Sequence, residues 1–387
     1  MSVPPTICWS EDGEARSARW HSEGGAPAPQ RVILADDRVT ADTAFRLASE
    51  GTALLWRGDF QNARQLLQAM ARRIDRKPRK AAATAAPAEA FHLYRQAQSQ
   101  RARTLGMLLL PFDEDYRVPL RRAPDVRKAC SEAYGPAPGE PGPFVASLRE
   151  LLGLIGAHEW RRKGIVVPAL GTRIHPHYGV FAPVRGEYVG LVAAAPLPPS
   201  CTLAFDVGTG TGVLAAVLAQ RGIARIVATD QDPRALACAA ENVARLGLAA
   251  RVEVVAADLF PPGRAPLIVC NPPWLPARAG SPLERAVFDP DSRMLRGFIG
   301  GLAAHLGPGG EGWLVLSDLA EHLGLRSRAE LLATFEAAGL EVLGRMEAKP
   351  VHPRAADTAD PLHAARAAEV TSLWRLGVAL RFLHKQP

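Results

Sequence analysis

From about residue 200 the sequence alternates short apolar, β-branched runs with helical stretches, and no other feature restricts the possible folds as much. "TLAFDV" (202–207), "ARIVAT" (224–229), "RVEVVA" (251–256), "LIVC" (267–270) and "GWLVLS" (312–317) read as strands. Between them lie "PRALACAAENVARLG" and "RMLRGFIGGLAAHLG", which read as helices. Strands separated by helices of this length form βαβ units, and hence a parallel sheet covered by helices. Two later runs, "LEVLGRMEA" and "EVTSLWRLGVALRF", follow a helix at about Arg328–Ala338 and suggest a closing hairpin on that sheet. The expectation is an α/β fold with a doubly wound, mostly parallel sheet of seven strands.

In such sheets ligands bind at the carboxyl ends of the strands, and here those ends carry chemistry. The first strand runs through "DVGTGTG", Asp206 to Gly212, into a helix. Gly208, Gly210 and Gly212 allow a tight turn and close approach of backbone to a ligand, although a purely structural turn would use the same residues. The dinucleotide-binding pattern requires glycine at position 213, where Val213 stands. The second strand ends in "ATDQDP", placing Asp230 to accept hydrogen bonds from ribose hydroxyls and Gln231 beside it. Asp232, before Pro233, reads as a helix cap. The third strand ends in "AADLF", whose Asp258 and Leu259 are candidates for the base of a nucleoside. The fourth ends in "NPPW", Asn271 to Trp274.

In order and spacing these segments resemble the first four motifs of the class I S-adenosylmethionine-dependent methyltransferases, which have a Rossmann-like fold. More narrowly they resemble the "methyltransferase small" group with an Asn-Pro-Pro-aromatic motif, which includes protein-glutamine methyltransferases and rRNA base N-methyltransferases. The resemblance covers about residues 165–320 and is loose beyond. It implies S-adenosyl-L-methionine as cofactor. Asp206, Gly208, Thr209, Gly210 and Gly212 would line its methionine part, Asp230 and Gln231 its ribose, and Asp258 and Leu259 its adenine, with Asn271 at the methyl group.

Amide and exocyclic amino nitrogens are weak nucleophiles because the lone pair is delocalised. Holding their N–H groups on acceptors turns that lone pair toward a methyl donor. The Asn271 side-chain oxygen and the Pro272 carbonyl are candidate acceptors, and Trp274 is a candidate stacking wall for a planar target. Asn271, Pro272 and Trp274 are therefore the expected catalytic set, with no metal. The segment 171–189 ("GTRIHPHYGVFAPVRGEYV") reads as a hairpin in which Phe181 and Tyr188 pack on the cofactor domain. Its Pro183 and Glu187 echo a segment of the glutamine methyltransferases that helps to close the site. Residues 275–295 and 351–367 read as substrate loops, and His352 and His363 as surface residues.

The formal charge is +7, yet residues 61–163 alone carry 19 Lys/Arg against 10 Asp/Glu. The densest run, "RRIDRKPRK" (72–80), is either a solvated face or a footprint for RNA or a ribonucleoprotein. Five scattered cysteines without a C-x-x-C pair read as small buried residues in a reducing cytoplasm. No apolar run is long enough to span a membrane. The expected organisation is an unordered 1–30 and a basic, mainly helical 31–140 with a linker at 76–90. A helix and hairpin at 141–199 then lead into a methyltransferase domain at 200–387. The expected activity is N-methylation of a macromolecule, either a glutamine side chain of a translation protein or an RNA base. A small-molecule methyltransferase, a non-catalytic cofactor- or RNA-binding module and a nicotinamide-dependent oxidoreductase are the competing readings.

Overall fold

The computed structural model describes residues 5–76, 86–137, 142–280, 283–350 and 357–379. The chain forms two compact units, the first comprising Met1–Thr84 with His92–Glu159 and the second Ala85–Phe91 with Trp160–Pro387.

The first unit is a mixed sheet with helices. Its strands are β1 (Thr6–Glu11), β2 (Glu14–Trp20), β3 (Arg31–Ala35), β4 (Thr52–Trp56), β5 (Leu108–Phe112) and β6 (Phe144–Ser147), in the order β1-β2-β6-β5-β4-β3. The expectation of an unordered 1–30 is corrected here. Residues 6–20 form a hairpin, turned by Asp12 and Gly13 at φ 54° and 81°. Asp-Gly between alternating runs is the usual two-residue hairpin signal. Helices make up more than half of the described part of region 31–140, as expected, but its centre is a sheet absent from that expectation: β3, β4 and β5 pair in parallel there. All five residues of β4 are buried, and a strand covered on both faces loses the alternation that distinguishes it from a buried helix. The helices are α1 (Ala41–Ser49), α2 (Phe60–Arg76), α3 (Pro87–Gly106), which runs across the unit boundary, and α4 (Arg127–Tyr134). In α2, Leu66, Leu67 and Met70 share the buried face. Lys77–Lys80 of the basic run, and most of the expected linker, lie outside the described residues.

The second unit opens in helix α5 (Leu148–Lys163), which also crosses the boundary, and a short hairpin of β7 (Ile165–Val167) and β8 (Thr172–Ile174). The expected longer hairpin ends there, because residues 175–186 form a loop into helix α6 (Glu187–Ala194). The seven-stranded sheet comprises β9 (Leu203–Val207), β10 (Arg225–Asp230), β11 (Val252–Ala256), β12 (Ala265–Cys270), β13 (Leu306–Ser317), β14 (Leu340–Ala348) and β15 (Thr371–Val378). Their order is β11-β10-β9-β12-β13-β15-β14, parallel except for β15, which runs antiparallel between β13 and β14. Helices α7 (Val213–Gln220), α8 (Pro233–Arg245) and α9 (Arg293–His305) supply the crossovers. Asp232 caps α8 by accepting from Arg234 N, with Pro233 at the first helical position.

Apolar clusters cover both faces of this sheet, one built on Val213–Ala219 and Val189, the other on Phe298, Ile299, Leu302 and Phe335. Across β13 and β15, Arg375 grips Glu311 through both carboxylate oxygens at 2.8 and 2.6 Å, and Trp313 donates to the same carboxylate. Cys130, Cys238 and Cys270 are buried as expected, whereas Cys201 is half-buried and Cys8 exposed.

In the first unit the Asp59 carboxylate is shut away from solvent and accepts from Arg122 Nε at 2.6 Å, Arg121 Nε at 2.9 Å and Gln61 N at 2.8 Å. The hydrogen bond from Arg122, aided by those from Gln61 and Arg121, holds its pKa well below the usual carboxylate range. A depressed folded-state pKa stabilises the fold above the unfolded value of about 3.9, and that contribution is lost as pH falls through the folded value. Thermal unfolding followed from pH 7 to pH 2 should therefore show the first unit destabilising in acid, with a shallower decline in Asp59→Asn.

Candidate active site

At the carboxyl end of β9 the chain turns back across β10, where Gly208 N and Thr209 N both donate to Thr229 O at 2.9 and 2.8 Å. The turn is held from beneath by Asp206, 1% exposed, whose Oδ2 accepts from Thr209 Oγ1 at 2.6 Å and Ala215 N at 3.0 Å. One carboxylate thus ties the loop to the first turn of α7. Gly212 precedes that helix at φ 79°, and a Cβ there would stand 3.3 Å from the Cα of Ala239. Glycine is required at this position by both conformation and helix packing.

The loop forms one wall of a cavity of about 490 Å³. Gly208, Thr209 and Gly210 line it, as do Asp230 and Gln231 from the end of β10 and Leu259 from beyond β11. Asn271 and Pro273 line it from the end of β12. Four strand ends picked out by sequence therefore converge on one space. Asp230 is itself oriented, accepting from Gly210 N at 3.1 Å and Asp232 N at 3.0 Å, and burial raises its pKa. Leu259 lies in the left-handed region at φ 73°, an unfavourable conformation for a leucine that the surrounding packing must hold.

Five of the expected site residues do not line the cavity. Asp206 and Gly212 stand behind the wall in the roles just described. Asp258 is directed to Arg293, its carboxylate 2.8 Å from the guanidinium and more than half exposed, while its neighbours Ala257 and Leu259 face the cavity. Pro272 is buried. Trp274 is half-buried against both core clusters, and its Nε1 donates to Asn271 Oδ1 at 2.9 Å. The indole N–H is thus engaged by the Asn271 amide, and the ring expected as a stacking wall is not among the residues that line the cavity.

Other residues of the wall carry no comparable motif. Gly179, Val180 and Phe181 line the cavity from the loop after β8, together with Tyr188 of α6. Asn242, 1% exposed, fastens that loop: its Oδ1 accepts from His175 N at 2.8 Å, and its Nδ2 donates to His175 O and Thr211 O. His177 Nε2 lies 2.7 Å from Glu241, which also receives Arg161 and Arg245. Burial alone would raise the Glu241 pKa, but these three partners carry it down to about 2. The histidines are therefore fasteners of the wall. Arg285, Ala286 and Met294 line the cavity from the expected loop 275–295, where Asp289 accepts from Met294 N and Leu295 N at the start of α9. Of the second expected loop, 351–356 and hence His352 lie outside the described residues, and His363 begins a short helix.

Residues 172–338 match the family model of the methyltransferase small domain. All of these matched residues lie in the second unit. A release factor glutamine methyltransferase of Cereibacter sphaeroides is 39% identical over 170 residues, covering 42% of this chain and 57% of that protein. A ribosomal protein L11 methyltransferase of Pelotomaculum thermopropionicum is 49% identical over 69 residues, 17% of this chain and 22% of that protein. A tRNA1(Val) (adenine(37)-N6)-methyltransferase of Bacteroides thetaiotaomicron is 46% identical over 75 residues, 18% and 32% respectively. The chain thus spans little more than half the length of these curated relatives at most. The matched residues 172–338 include β9 to β13 of the seven-stranded sheet and every residue that lines the cavity, whereas β14 and β15 lie beyond them. The first unit lies outside the matched residues.

Burial lifts the Asp206 pKa to about 6, against the hydrogen bonds from Thr209 and Ala215 that favour the charged form. A raised folded-state pKa gives stability that is fully present below the unfolded value of about 3.9 and is lost as pH rises through the folded one. In the cofactor-free chain, ionising Asp206 between about pH 4 and 7 should weaken the second unit by on the order of 3 kcal/mol. Asp206→Asn should remove this component from the pH dependence of thermal unfolding.

Proposed function

We propose that this chain is an S-adenosylmethionine-dependent N-methyltransferase of macromolecules. Its target is a planar nitrogen, either the side-chain amide of a glutamine in a translation protein or an amino group of an RNA base. The observation that carries this reading is the convergence of Asp230 and Asn271, from the ends of β10 and β12, on one cavity beside a glycine-rich backbone wall. The relatives named as release factor glutamine and tRNA adenine-N6 methyltransferases support both versions of the target.

The residues fit the cofactor chemically. Asp230, held by two backbone N–H groups, presents a carboxylate suited to ribose hydroxyls, and the glycine loop offers backbone where side chains would obstruct. When bound, S-adenosylmethionine supplies an electrophilic methyl on a sulfonium. Asn271 accepts an N–H of the target through the lone pair of Oδ1 that the indole leaves free. The carbonyl of Pro272 is the second acceptor, its backbone stiffened by two consecutive prolines. With both N–H groups held, the nitrogen lone pair turns toward the methyl group. Such placement is worth up to about 7–11 kcal/mol in favourable systems. Phe181, Tyr188 and Met294 supply apolar wall that keeps water from the reacting atoms. The site of action would be the cytoplasm, where both target classes occur, and among the described residues no helix is long and apolar enough to cross a membrane.

The test is transfer of labelled methyl groups from S-adenosylmethionine into a cell extract, followed by separate ribonuclease and protease digestion. Macromolecular label lost to one treatment only assigns the target class; no incorporation into macromolecules removes the proposal. Asn271→Ala should lower transfer at least roughly a hundredfold while leaving cofactor affinity intact. Asp230→Ala should instead raise the dissociation constant for S-adenosylmethionine roughly ten- to a hundredfold, as read by calorimetric titration.

A further inference from the structure

We propose that Trp274 is a positioning residue for Asn271, and that Arg185 and Glu369 hold it in place from outside the cavity. The inference rests on the reading of Asn271 as the group that takes the target N–H.

An indole N–H is a donor and never an acceptor. The Asn271 atom 2.9 Å from Trp274 Nε1 is therefore its oxygen, and the orientation of the amide follows. The terminal torsion of an asparagine is otherwise broad and roughly two-fold. An amide free to turn would present nitrogen to the target in part of its population, where the chemistry needs an acceptor. Engaging one lone pair of Oδ1 leaves the second for the target.

A buried tryptophan takes any acceptor within reach, so the hydrogen bond alone does not establish the role. What distinguishes this one is how the ring is fixed. The Arg185 guanidinium carbon lies 6.0 Å from the centroid of the Trp274 ring. Arg185 Nη1 donates to Glu369 Oε1 at 2.9 Å, and Ser317 Oγ, at the end of β13, donates to the same oxygen at 2.7 Å. Glu369 is 1% exposed, and a carboxylate so buried is tolerable only when paired and hydrogen-bonded. The cation is thus pinned between a fixed carboxylate and the indole. A chain of contacts runs from the segment before β15, through the loop before α6, to the amide at the end of β12. None of Trp274, Arg185 and Glu369 is among the residues that line the cavity.

Trp274→Phe keeps an aromatic ring but removes the N–H. It should lower kcat for methyl transfer into extract macromolecules roughly ten- to a hundredfold, with calorimetric affinity for S-adenosylmethionine unchanged and thermal unfolding still cooperative. Arg185→Met should lower kcat in the same direction, and Arg185→Lys, which keeps the cation, should restore most of it. Nitrogen-15 spectra of the full chain give a readout independent of turnover. The Trp274 indole resonance, assigned by its absence in Trp274→Phe, should shift and exchange faster with solvent in Asn271→Ala. Wild-type kcat in Trp274→Phe would overturn the proposal, because a stacking or purely structural ring survives that change. An indole resonance unmoved in Asn271→Ala would also overturn it, even if the wild-type chain proved to transfer no methyl group and the activity itself had to be abandoned.

Discussion

The carboxylate of Asp206 is the interaction on which the candidate site depends. It sits on β9, an interior strand of the second unit's sheet, opposite Ala228 on one side and Val269 on the other. Its two hydrogen bonds bind the glycine-rich loop to the helix that follows. That attachment lets one wall of the cavity consist largely of backbone. Asp230 repeats the device one strand away with a different outcome, since it organises two backbone N–H groups and still faces the cavity. The two acids repel each other, which adds to the upward shift of the Asp206 pKa. Two carboxylates at one wall make that end of the cavity hospitable to a positively charged ligand.

The second unit is legible in the sequence because its information is local. Strands of five or six residues end where chemistry begins, so "DVGTGTG", "ATDQDP", "AADLF" and "NPPW" can each be placed at a strand end from the residue pattern alone. What escapes is carried by pairs distant in sequence. Asp258 looks like its neighbours on the other strand ends until Arg293, 35 positions later, is seen to hold it. Trp274 stands alone in its motif until Arg185, 89 positions earlier, is found near its ring. Asn242 gives no signal at all in the sequence, yet it ties the loop after β8 to the glycine-rich loop.

The first unit resists such reading for a different reason. "TALLW" is wholly buried, and without an exposed face it has no period to betray a strand. The helical patterns of α1 and α2 on either side extend a helical reading into it. The Asp-Gly turn at 12–13 is a clear hairpin signal, but the Gly- and Pro-rich stretch that follows it outweighs it in composition. Local turn chemistry is the better guide there.

The place of β15 between β13 and β14 bears on how the protein emerges from the ribosome. All residues of the first unit precede Trp160, so that unit can fold while synthesis continues. The sheet of the second unit cannot be completed until residue 378 is made, because its penultimate position in the strand order is filled last. Until then β13 and β14 present unpaired edges, the kind of surface on which nascent chains associate. Glu311 likewise waits for Arg375, a partner 64 residues away, with its carboxylate at one of those edges. A charge held at an open edge discourages unwanted strand pairing. The same carboxylate that joins the finished sheet would thus protect the unfinished one.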